Sequence, residues 1–406
     1  MAYNLASMTE RVRSFAKINL GLCIGAARED GFHELLTVYQ TIGLHDFIRV
    51  SVGRGSGIEI RCTDVRVPKD ESNTCYRIVE MAMAATKSKG RVSVEIEKRL
   101  PVQGGMGGAS SNAVATLLGL ERVLKKTLPA EERLRIAAEV GSDLPLFLVG
   151  GTVLGVGRGE LVYPLADWPP TACVVVTPEV GVSTPKAFAE WDRRVAECTQ
   201  GLKPAFSQSW DAALKRRSST VDDGSTADDR AEKRVELRST GQPGACPELV
   251  EGAAVPTQAF PTQAVPTQTV LTQYAATKLT VAGASDRMSL LGRGFSAWLS
   301  ESYSGAPFRR GRAENPLLEL VRAGIKNDFE EVVFPEYPEL SEGKRALERA
   351  GAKYASLSGS GSTLYGLFAS KEAAGAAVTK LRKQGWAAQA TATMTRREYW
   401  RRIFAG

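Results

Sequence analysis

A glycine-rich stretch between two segments of regular hydrophobic spacing constrains the fold of this chain most. Residues 101–124 read PVQGGMGGASSNAVATLLGLERVL. The residues before it alternate apolar and polar, which predicts a strand, and the residues after it repeat at helical spacing. The apolar positions are Val92, Val94 and Ile96 in the strand and Ala113, Leu117, Leu120 and Leu124 in the helix. The sequence therefore predicts a strand, a glycine loop and a helix in succession.

The glycine loop has the composition of a phosphate-binding site. Glycine lets a backbone approach a ligand closely and adopts positive φ without steric cost. The start of the following helix offers unpaired N–H groups and a partial positive charge, which favour phosphate. We expect Ser110, Ser111 and Asn112 to supply helix-capping oxygens. The glycines are Gly104, Gly105, Gly107 and Gly108.

Other interpretations of the loop compete with phosphate binding. No Gly-Lys-Ser or Gly-Lys-Thr follows the glycines, so the loop is not a Walker motif, and its spacing does not fit the dinucleotide-binding G-x-G-x-x-G pattern. A tight turn between strand and helix, without any ligand, accounts for the local sequence equally well. Other parts of the chain must decide between these interpretations.

Composition narrows the class of protein. The 406 residues are 43% hydrophobic and 24% charged, which is typical of a globular chain long enough for two domains. The net charge of +7 suits an anionic substrate or a nucleic acid. Lysine and arginine are scattered rather than gathered in one arm, so a nucleic acid is the less favoured partner.

The cysteines and the first residues indicate a compartment. The six cysteines show no C-x-x-C spacing, which argues against a zinc site and a disulfide framework and for reduced thiols. Residues 1–14 carry neither the apolar region of a signal peptide nor an anchor, and no run of about 18 apolar residues occurs. We expect a soluble cytoplasmic protein. The cysteines are Cys23, Cys62, Cys75, Cys173, Cys198 and Cys246.

The first predicted strand, residues 12–24, carries two polar side chains on one face. Its alternation places Lys17 and Asn19 on the same side, opposite an apolar face. This pair is either a solvated face or part of a site, and the spacing alone does not decide. His33 follows Phe32 after a predicted turn. His33 is either a hydrogen-bonded structural residue or part of the chemistry, and no second ligand nearby supports a metal site.

Five segments in a fixed order resemble the GHMP small-molecule kinases. Within this family the first segment is most similar to members that act on a cytidine diphosphate-linked methylerythritol, whereas the glycine loop is common to the whole superfamily. The resemblance covers residues 11 to about 190 and about 315 to 370. The segments are SFAKINLGLCIGAAREDGFHELLTVYQTIGLHD, PVQGGMGGASSNAVATL, GSDLPLFLVGGTVLGVGRGE, KNDFE and SLSGSGSTLYGLF.

The resemblance implies an α+β fold of two domains with the ligands in the cleft between them. Residues 1–170 would form a ribosomal-protein-S5-like N-terminal domain, and residues 171–406 a ferredoxin-like C-terminal domain with helices on an antiparallel sheet. The polar repeats PTQAF, PTQAV and PTQTV lie in residues 201–285, which lack apolar periodicity. We expect this insertion to be disordered, with a partner-binding tether as the alternative.

Smaller elements fit the same two domains. Residues 129–140 and residues 288–299 predict helices, and residues 174–176 predict a strand. In the family, the pair Asn327-Asp328 and the glycine turn at residues 358–362 belong to the C-terminal half, and the turn approaches the cleft. Judged locally, the same turn is a plain connection between two strands.

The resemblance also implies an activity. Members of the family are ATP-dependent kinases, so this chain is expected to use ATP and Mg²⁺ to phosphorylate the 2-hydroxyl of the cytidyl substrate, in the non-mevalonate isoprenoid precursor pathway. Asp143 matches the catalytic base and Lys17 its charge partner. The carboxylate would accept the proton of the attacking alcohol, and the ammonium would keep that carboxylate ionised. No pair of magnesium ligands can be identified.

The matching positions imply two sets of ligand-binding residues. Phe188 would stack on the cytosine opposite Phe32, which replaces a tyrosine of some members and so lacks its hydroxyl. Core packing is the alternative for both rings. The residues implied for the substrate are Asn19, Phe32, His33, Thr184 and Phe188. Those implied for ATP are Pro101, Gly104, Gly105, Met106, Gly107, Gly108, Ala109, Ser110, Ser111 and Asn112.

Two alternative functions stay open. One is another kinase of the same superfamily, acting on mevalonate, homoserine or a sugar, which would not need two rings around a cytosine. The other is a catalytically inactive protein that binds RNA or a phosphate compound on the same fold, with salt-sensitive binding and no dependence on Asp143. A membrane partner is not expected, and the sequence does not set the oligomeric state.

Overall fold

The architecture comes from a computed structural model, which describes residues 9–102, 104–200 and 326–404, without the side chains of residues 198–200. The insertion predicted over residues 201–285 and the helix predicted over residues 288–299 lie outside these ranges. The chain divides into two compact units, Met1–Arg193 with Gln268–Gly406, and Arg194–Thr267. The sites below lie in the first unit. The domain boundary predicted near residue 170 stays a prediction.

A long hairpin organises a six-stranded sheet. Its strands are β1 (Thr9–Ala27), β2 (His33–Gly53), β3 (Ile58–Cys62), β4 (Arg91–Glu97), β5 (Thr152–Val156) and β6 (Leu161–Pro164). β1 and β2 pair antiparallel along nearly their whole lengths. The other edge of β2 carries β5 at residues 37–40 and β4 at residues 47–53. β3 joins β4 in parallel, and β6 joins β5 antiparallel. β2 therefore lies at the centre of the sheet, between β4 and β5.

A second sheet is antiparallel throughout and has the order β10-β7-β9-β8. Its strands are β7 (Ala172–Val176), β8 (Tyr354–Leu357), β9 (Leu364–Phe368) and β10 (Ala388–Ala392). The helices of the described chain are α1 (Thr74–Ala85), α2 (Gly108–Leu124), α3 (Ala130–Val140), α4 (Leu144–Val149), α5 (Thr184–Gln200), α6 (Glu330–Glu336), α7 (Pro338–Arg349), α8 (Lys371–Lys383) and α9 (Arg396–Ile403). Two sheets with separate helix layers confirm the predicted α+β class.

Three hydrophobic cores follow from the period of two along the strands. One core lies between the first sheet and helices α1–α4 and α9. Another lies between the second sheet and helices α5–α8. The third lies between the two sheets. In β7, Val174 and Val176 face the helices, whereas Cys173 and Val175 face the first sheet. Both faces of β7 are therefore buried, which explains its continuous apolar run.

The predicted capping role of Ser110, Ser111 and Asn112 is wrong. The N-cap of α2 is Gly107, whose φ of +66° is left-handed, and no side chain caps the helix. The three polar residues lie inside the first turns of the helix. The Ser111 hydroxyl instead shares a hydrogen bond of 2.6 Å with the Ser14 hydroxyl. The sharp turn at a glycine starts the helix earlier than the polar residues predict.

The shorter predictions are confirmed where the structure describes the chain. α3 follows Pro129 and ends before Gly141, as the spacing of residues 129–140 predicts. Residues 174–176 lie in β7, and residues 358–362 connect β8 to β9.

Within the described ranges, no helix combines the length and the apolar character needed to cross a membrane.

The glycine loop before α2 and the glycine turn between β8 and β9 pack directly against each other. A Cβ atom on Gly105 would collide with the carbonyl oxygen of Ser358, and one on Gly361 would collide with the backbone of Gly105. The Thr363 N–H donates to the carbonyl of Gly104 at 3.1 Å, and the Ser358 hydroxyl donates to the carbonyl of Gly105 at 3.1 Å. The two turns therefore form a backbone contact that only glycine permits.

Gly361→Ala is expected to lower the free energy of unfolding by about 3 kcal/mol, because backbone atoms cannot move aside as a side chain can. Gly375→Ala is the matched control, since a Cβ at Gly375 in α8 meets nothing within 4 Å. That control should raise the free energy of unfolding by about 1 kcal/mol through helix propensity. Urea unfolding of both variants measures the effect. Equal midpoints for Gly361→Ala and the wild type would contradict the tight contact.

Candidate active site

Lys17 and Asp143 form the ion pair at the centre of the site. Lys17, on β1, is 3% exposed, and its Nζ lies 3.4 Å from Asp143 Oδ2. The same ammonium donates to Asn19 Oδ1 at 2.6 Å, and the Asn19 amide donates to the Thr37 hydroxyl at 2.8 Å. Lys17 and Asn19 do lie side by side, but they are buried rather than solvated. The lysine is therefore fixed from the protein side and aimed at one carboxylate.

The Asp143 carboxylate faces open space on its remaining side. Asp143 is the N-cap of α4, yet its side chain makes no capping hydrogen bond. The side chain is 33% exposed. Besides the contact with Lys17, it accepts a hydrogen bond of 3.0 Å from the Tyr39 hydroxyl. Sequence reasoning missed Tyr39, although it lies in the segment that carried the resemblance.

The glycine loop lines a cavity of about 370 Å³. All residues expected to bind ATP line this cavity except Ser111, which is buried against Ser14. Asn112 is 4% exposed, and within the described chain its Oδ1 has no hydrogen-bond partner. A buried acceptor without a partner costs free energy unless a ligand or water supplies a donor. A water molecule or a hydroxyl or amino group of a ligand could satisfy this one acceptor, whereas phosphate oxygens could not.

A second wall of this cavity was not expected from the sequence. It comes from the loop before α1 and from the end of β4. Asn73 caps α1 by accepting from the Cys75 N–H at 2.8 Å, and its amide donates to the Pro68 carbonyl at 2.6 Å. An Asn-Thr pair before an apolar helical period is the signal that marks this wall. Its residues are Arg66, Val67, Pro68, Ser72, Asn73, Thr74, Cys75, Ile96 and Lys98.

Asp46 anchors the chain that leads into the glycine loop. Its carboxylate is fully buried and accepts from the Lys98 ammonium at 2.6 Å. It also accepts from the backbone N–H groups of Arg99 and Leu100, both at 2.7 Å. Three donors on one carboxylate satisfy a charge that would otherwise be costly to bury. Asp46 therefore fixes the residues directly before Pro101.

A larger cleft of about 670 Å³ holds the ion pair. All five residues expected to bind the substrate line it: Asn19, Phe32, His33, Thr184 and Phe188. Gly105 and Gly107 line both this cleft and the glycine-loop cavity. The two cavities therefore meet at the glycine loop. A ligand in each would place its reacting end beside Lys17 and Asp143.

The aromatic residues of the cleft each contact another side chain. The rings of His33 and Phe188 are stacked, with centroids 4.7 Å apart and planes 14° apart. His33 Nε2 is 2.7 Å from Asp192 Oδ1, a contact that sequence reasoning missed. Phe32 is 50% exposed, and the Arg158 guanidinium lies 4.8 Å from its ring centroid. His33 thus covers one face of the Phe188 ring.

The Asn-Asp element holds the second glycine turn in the cleft wall. The Asn327 amide donates to the carbonyls of Leu357 at 2.9 Å and Gly359 at 2.7 Å. Asp328 Oδ2 accepts from the Ile24 N–H at 3.0 Å. Residues 359–361 line the cleft, as the resemblance implied. The element therefore connects β1 to the turn that packs on the glycine loop.

Two family models match the chain. One is described as the GHMP kinases N terminal domain, over residues 73–151, and the other as GHMP kinases C terminal, over residues 313–386. A solved 4-(cytidine 5'-diphospho)-2C-methyl-D-erythritol kinase has a TM-score of 0.56 at 23% identity, covering 94% of this chain and 98% of that one. L. major mevalonate kinase, solved with R-mevalonate, has a TM-score of 0.56 at 15% identity, covering 96% and 97%. The chain is a GHMP kinase.

Sequence relatives define the family more narrowly. A 4-diphosphocytidyl-2-C-methyl-D-erythritol kinase of Solibacter usitatus is 30% identical over 362 residues, which cover 89% of this chain and 82% of the relative. One of Rhodococcus jostii is 41% identical over 187 residues, covering 46% of this chain and 60% of that relative. The chain belongs to the family of 4-diphosphocytidyl-2-C-methyl-D-erythritol kinases.

Asp46→Ala is expected to lower the free energy of unfolding by roughly 3–5 kcal/mol, because it leaves the Lys98 ammonium buried without its counter-charge. Glu97→Ala is the control: Glu97 is a partly exposed carboxylate paired with Arg11 and Arg99. That change should cost about 1 kcal/mol or less. Denaturant unfolding at neutral pH compares the two variants. Similar losses would show that Asp46 is not the anchor described here.

Proposed function

We propose that the chain transfers the γ-phosphate of ATP to the 2-hydroxyl of 4-diphosphocytidyl-2-C-methyl-D-erythritol, with Asp143 as general base and Lys17 as its charge partner. Membership of the kinase family supports the reaction and the substrate. ATP would occupy the glycine-loop cavity, and the cytidyl substrate would occupy the larger cleft. The backbone N–H groups of the loop and the start of α2 would hold the phosphates.

The junction of the two cavities supports this proposal most directly. Gly105 and Gly107 line both, and the Lys17–Asp143 pair lines the substrate side of the junction. Phosphoryl transfer depends on positioning an acceptor hydroxyl in line with the γ-phosphate and on stabilising charge. The glycine loop would position the phosphates. The Lys17–Asp143 pair at the end of this loop would position the acceptor hydroxyl and stabilise charge.

The chemistry of the pair follows from its contacts. The substrate hydroxyl must lose its proton as it attacks phosphorus, and the open side of the Asp143 carboxylate can accept that proton. The Lys17 ammonium stabilises the ionised carboxylate and the negative charge that develops on the transferred group. Because the Lys17 ammonium already donates a hydrogen bond to Asn19 Oδ1, Lys17 needs little reorganisation during the reaction.

Mg²⁺ is part of the proposal as the companion of ATP, since it neutralises charge on the β- and γ-phosphates. Within the described residues, no cluster of three or more His, Cys, Asp and Glu side chains forms a ready cation site. Magnesium in kinases is usually held by one or two carboxylates together with phosphates and waters. The phosphates would therefore supply much of its coordination.

We propose a reducing, cytoplasmic compartment for the reaction. The cysteines of the described chain, Cys23, Cys62, Cys75 and Cys173, are all free and buried. Burial raises the pKa of the Cys75 thiol to about 12, so this thiol beside the glycine-loop cavity stays protonated. Free thiols are ordinary in a reducing environment.

Asp143→Ala is expected to lower kcat roughly 100- to 10,000-fold, because it removes the base. The affinity for ATP should change by about twofold or less, since Asp143 does not line the glycine-loop cavity. Lys17→Met should lower kcat roughly 100-fold through loss of charge stabilisation. ADP release and nucleotide titration measure these effects. Wild-type turnover in either variant removes that residue from the mechanism.

The substrate is tested with a panel of alcohols and Asp143→Ala as the blank. ADP release with ATP and Mg²⁺ is compared for the cytidyl substrate, mevalonate, homoserine and galactose. Turnover with the cytidyl substrate alone supports the proposal. Turnover only with another alcohol would keep the kinase class and overturn the substrate. No turnover, together with salt-sensitive RNA binding, would favour an inactive binding protein.

Asp192→Ala tests the part of the cleft that is lined by His33 and Phe188 and would hold the cytidine. The change removes the partner of His33 and should raise KM for the cytidyl substrate roughly three- to tenfold with little change in kcat. Glu190→Ala is the control, because Glu190 lies on the same helix and pairs with Arg193. Steady-state kinetics at saturating ATP measure both. An unchanged KM in Asp192→Ala would separate this contact from substrate binding.

A further inference from the structure

Tyr39 is a buried phenol whose hydroxyl reaches the catalytic carboxylate. It lies in β2, opposite Asn19 of β1 and Val153 of β5, and is 2% exposed. Its hydroxyl donates to Asp143 Oδ1 at 3.0 Å across 104 residues of sequence. Tyr39 also lines the cleft proposed for the substrate. Tyr39 thus connects the middle of the first sheet to the reacting group.

Two glycines build a slot for this side chain. A Cβ atom on Gly155 would collide with the Tyr39 ring, and one on Gly159 would collide with the Tyr39 hydroxyl oxygen. Gly159 has a φ of +100°, a conformation that glycine adopts without strain. The strand end and turn between β5 and β6 therefore leave room for a complete tyrosine, hydroxyl included.

The two oxygens of Asp143 have different partners. Oδ1 accepts from the Tyr39 hydroxyl, and Oδ2 lies 3.4 Å from the Lys17 ammonium. Asp143 makes no capping hydrogen bond with α4, so these two contacts orient the carboxylate. Contacts on both oxygens fix the plane of the group. The lone pairs of the two oxygens that accept no hydrogen bond then point into the cleft, where the substrate hydroxyl would lie.

Tyr39 acts as a donor and does not compete for the proton. Burial, and secondarily the negative charge of Asp143, raises the pKa of the Tyr39 phenol well above its ordinary value. The phenol therefore stays protonated throughout the neutral range. Its hydroxyl hydrogen is therefore available to Asp143 Oδ1. The other charged groups around this pair are Lys17 on β1, and Arg158 and Glu160 in the β5–β6 turn, which pair with each other.

We propose that Tyr39 is a positioning residue for phosphoryl transfer: its hydroxyl sets the orientation of the Asp143 carboxylate, the proposed base. This inference rests on the proposed function of Asp143. It assigns to Tyr39 no contact with the transferred phosphate. The role depends on the hydroxyl alone, because the ring would remain in its slot without it.

Tyr39→Phe in the full-length protein tests the proposal. Loss of the hydroxyl should lower kcat roughly three- to thirtyfold, with KM for both substrates changed by about twofold or less. The loss should appear in kcat and not in KM, because the hydroxyl contacts the proposed base. A purely structural role would lower the free energy of unfolding and leave kcat of the folded protein unchanged.

Tyr399→Phe is the matched control. Tyr399 is also 2% exposed, and its hydroxyl donates to the Phe147 carbonyl at 2.7 Å, outside the cleft lining. This variant should keep the wild-type kcat, whatever it loses in stability. If Tyr39→Phe also keeps the wild-type kcat, or loses rate only through a higher KM, the proposed role of Tyr39 is overturned.

A double variant distinguishes a failure of this inference from a failure of the proposed function of Asp143. If Asp143 is the base that Tyr39 positions, adding Tyr39→Phe to Asp143→Asn should lower the residual rate no further. A further loss equal to that of the single variant would show that Tyr39 acts elsewhere. Wild-type turnover in Asp143→Asn would instead overturn the proposed base itself. The three results are distinct in the same ADP-release assay.

Discussion

The backbone contact between the two glycine turns is the constraint on which the site depends. Gly105 and Gly361 meet so closely that neither tolerates a side chain. The Lys17 N–H donates to the Met106 carbonyl at 3.0 Å, so the strand that carries the ammonium is tied to the same loop. Asn327 holds the opposite turn through two carbonyls. The glycine loop, the strand that carries Lys17 and the second glycine turn are thus held by contacts to main-chain atoms, which move less than side chains do.

Two carboxylates, Asp46 and Asp143, each contact a buried lysine side chain but differ in how accessible they are. Asp46 is fully buried and accepts from three donors, so no position on it is open to a substrate. Asp143 has two partners and a side chain that is one third exposed to the cleft. A carboxylate that serves as a base must be reachable by the proton that it accepts. Of these two carboxylates, only Asp143 is reachable from the cleft, although both have a lysine beside them.

Local sequence patterns predicted the strands and the loop, and they failed where partners are distant in sequence. The alternation in β1 placed Lys17 and Asn19 on one face, but it could not show that this face is buried. Tyr39 bonds to a residue 104 positions away, and His33 to one 159 positions away. No spacing rule reaches across such separations, because they are set by how strands and helices pack. The wrong capping prediction at α2 has a local cause. Gly107, in the left-handed conformation, occupies the N-cap position at which the local composition favours a polar residue.

The division of the cleft into two walls explains how one fold serves several substrates. Mevalonate kinase shares this fold at a TM-score of 0.56, so the fold alone does not select a cytidyl group. The glycine loop and β1 form the wall beside Lys17 and Asp143. The start of β2 and helix α5 form the other wall, where His33, Phe188 and Asp192 contact one another. Because the two walls come from different elements, side chains of the second can change with the substrate while the geometry around Asp143 stays the same.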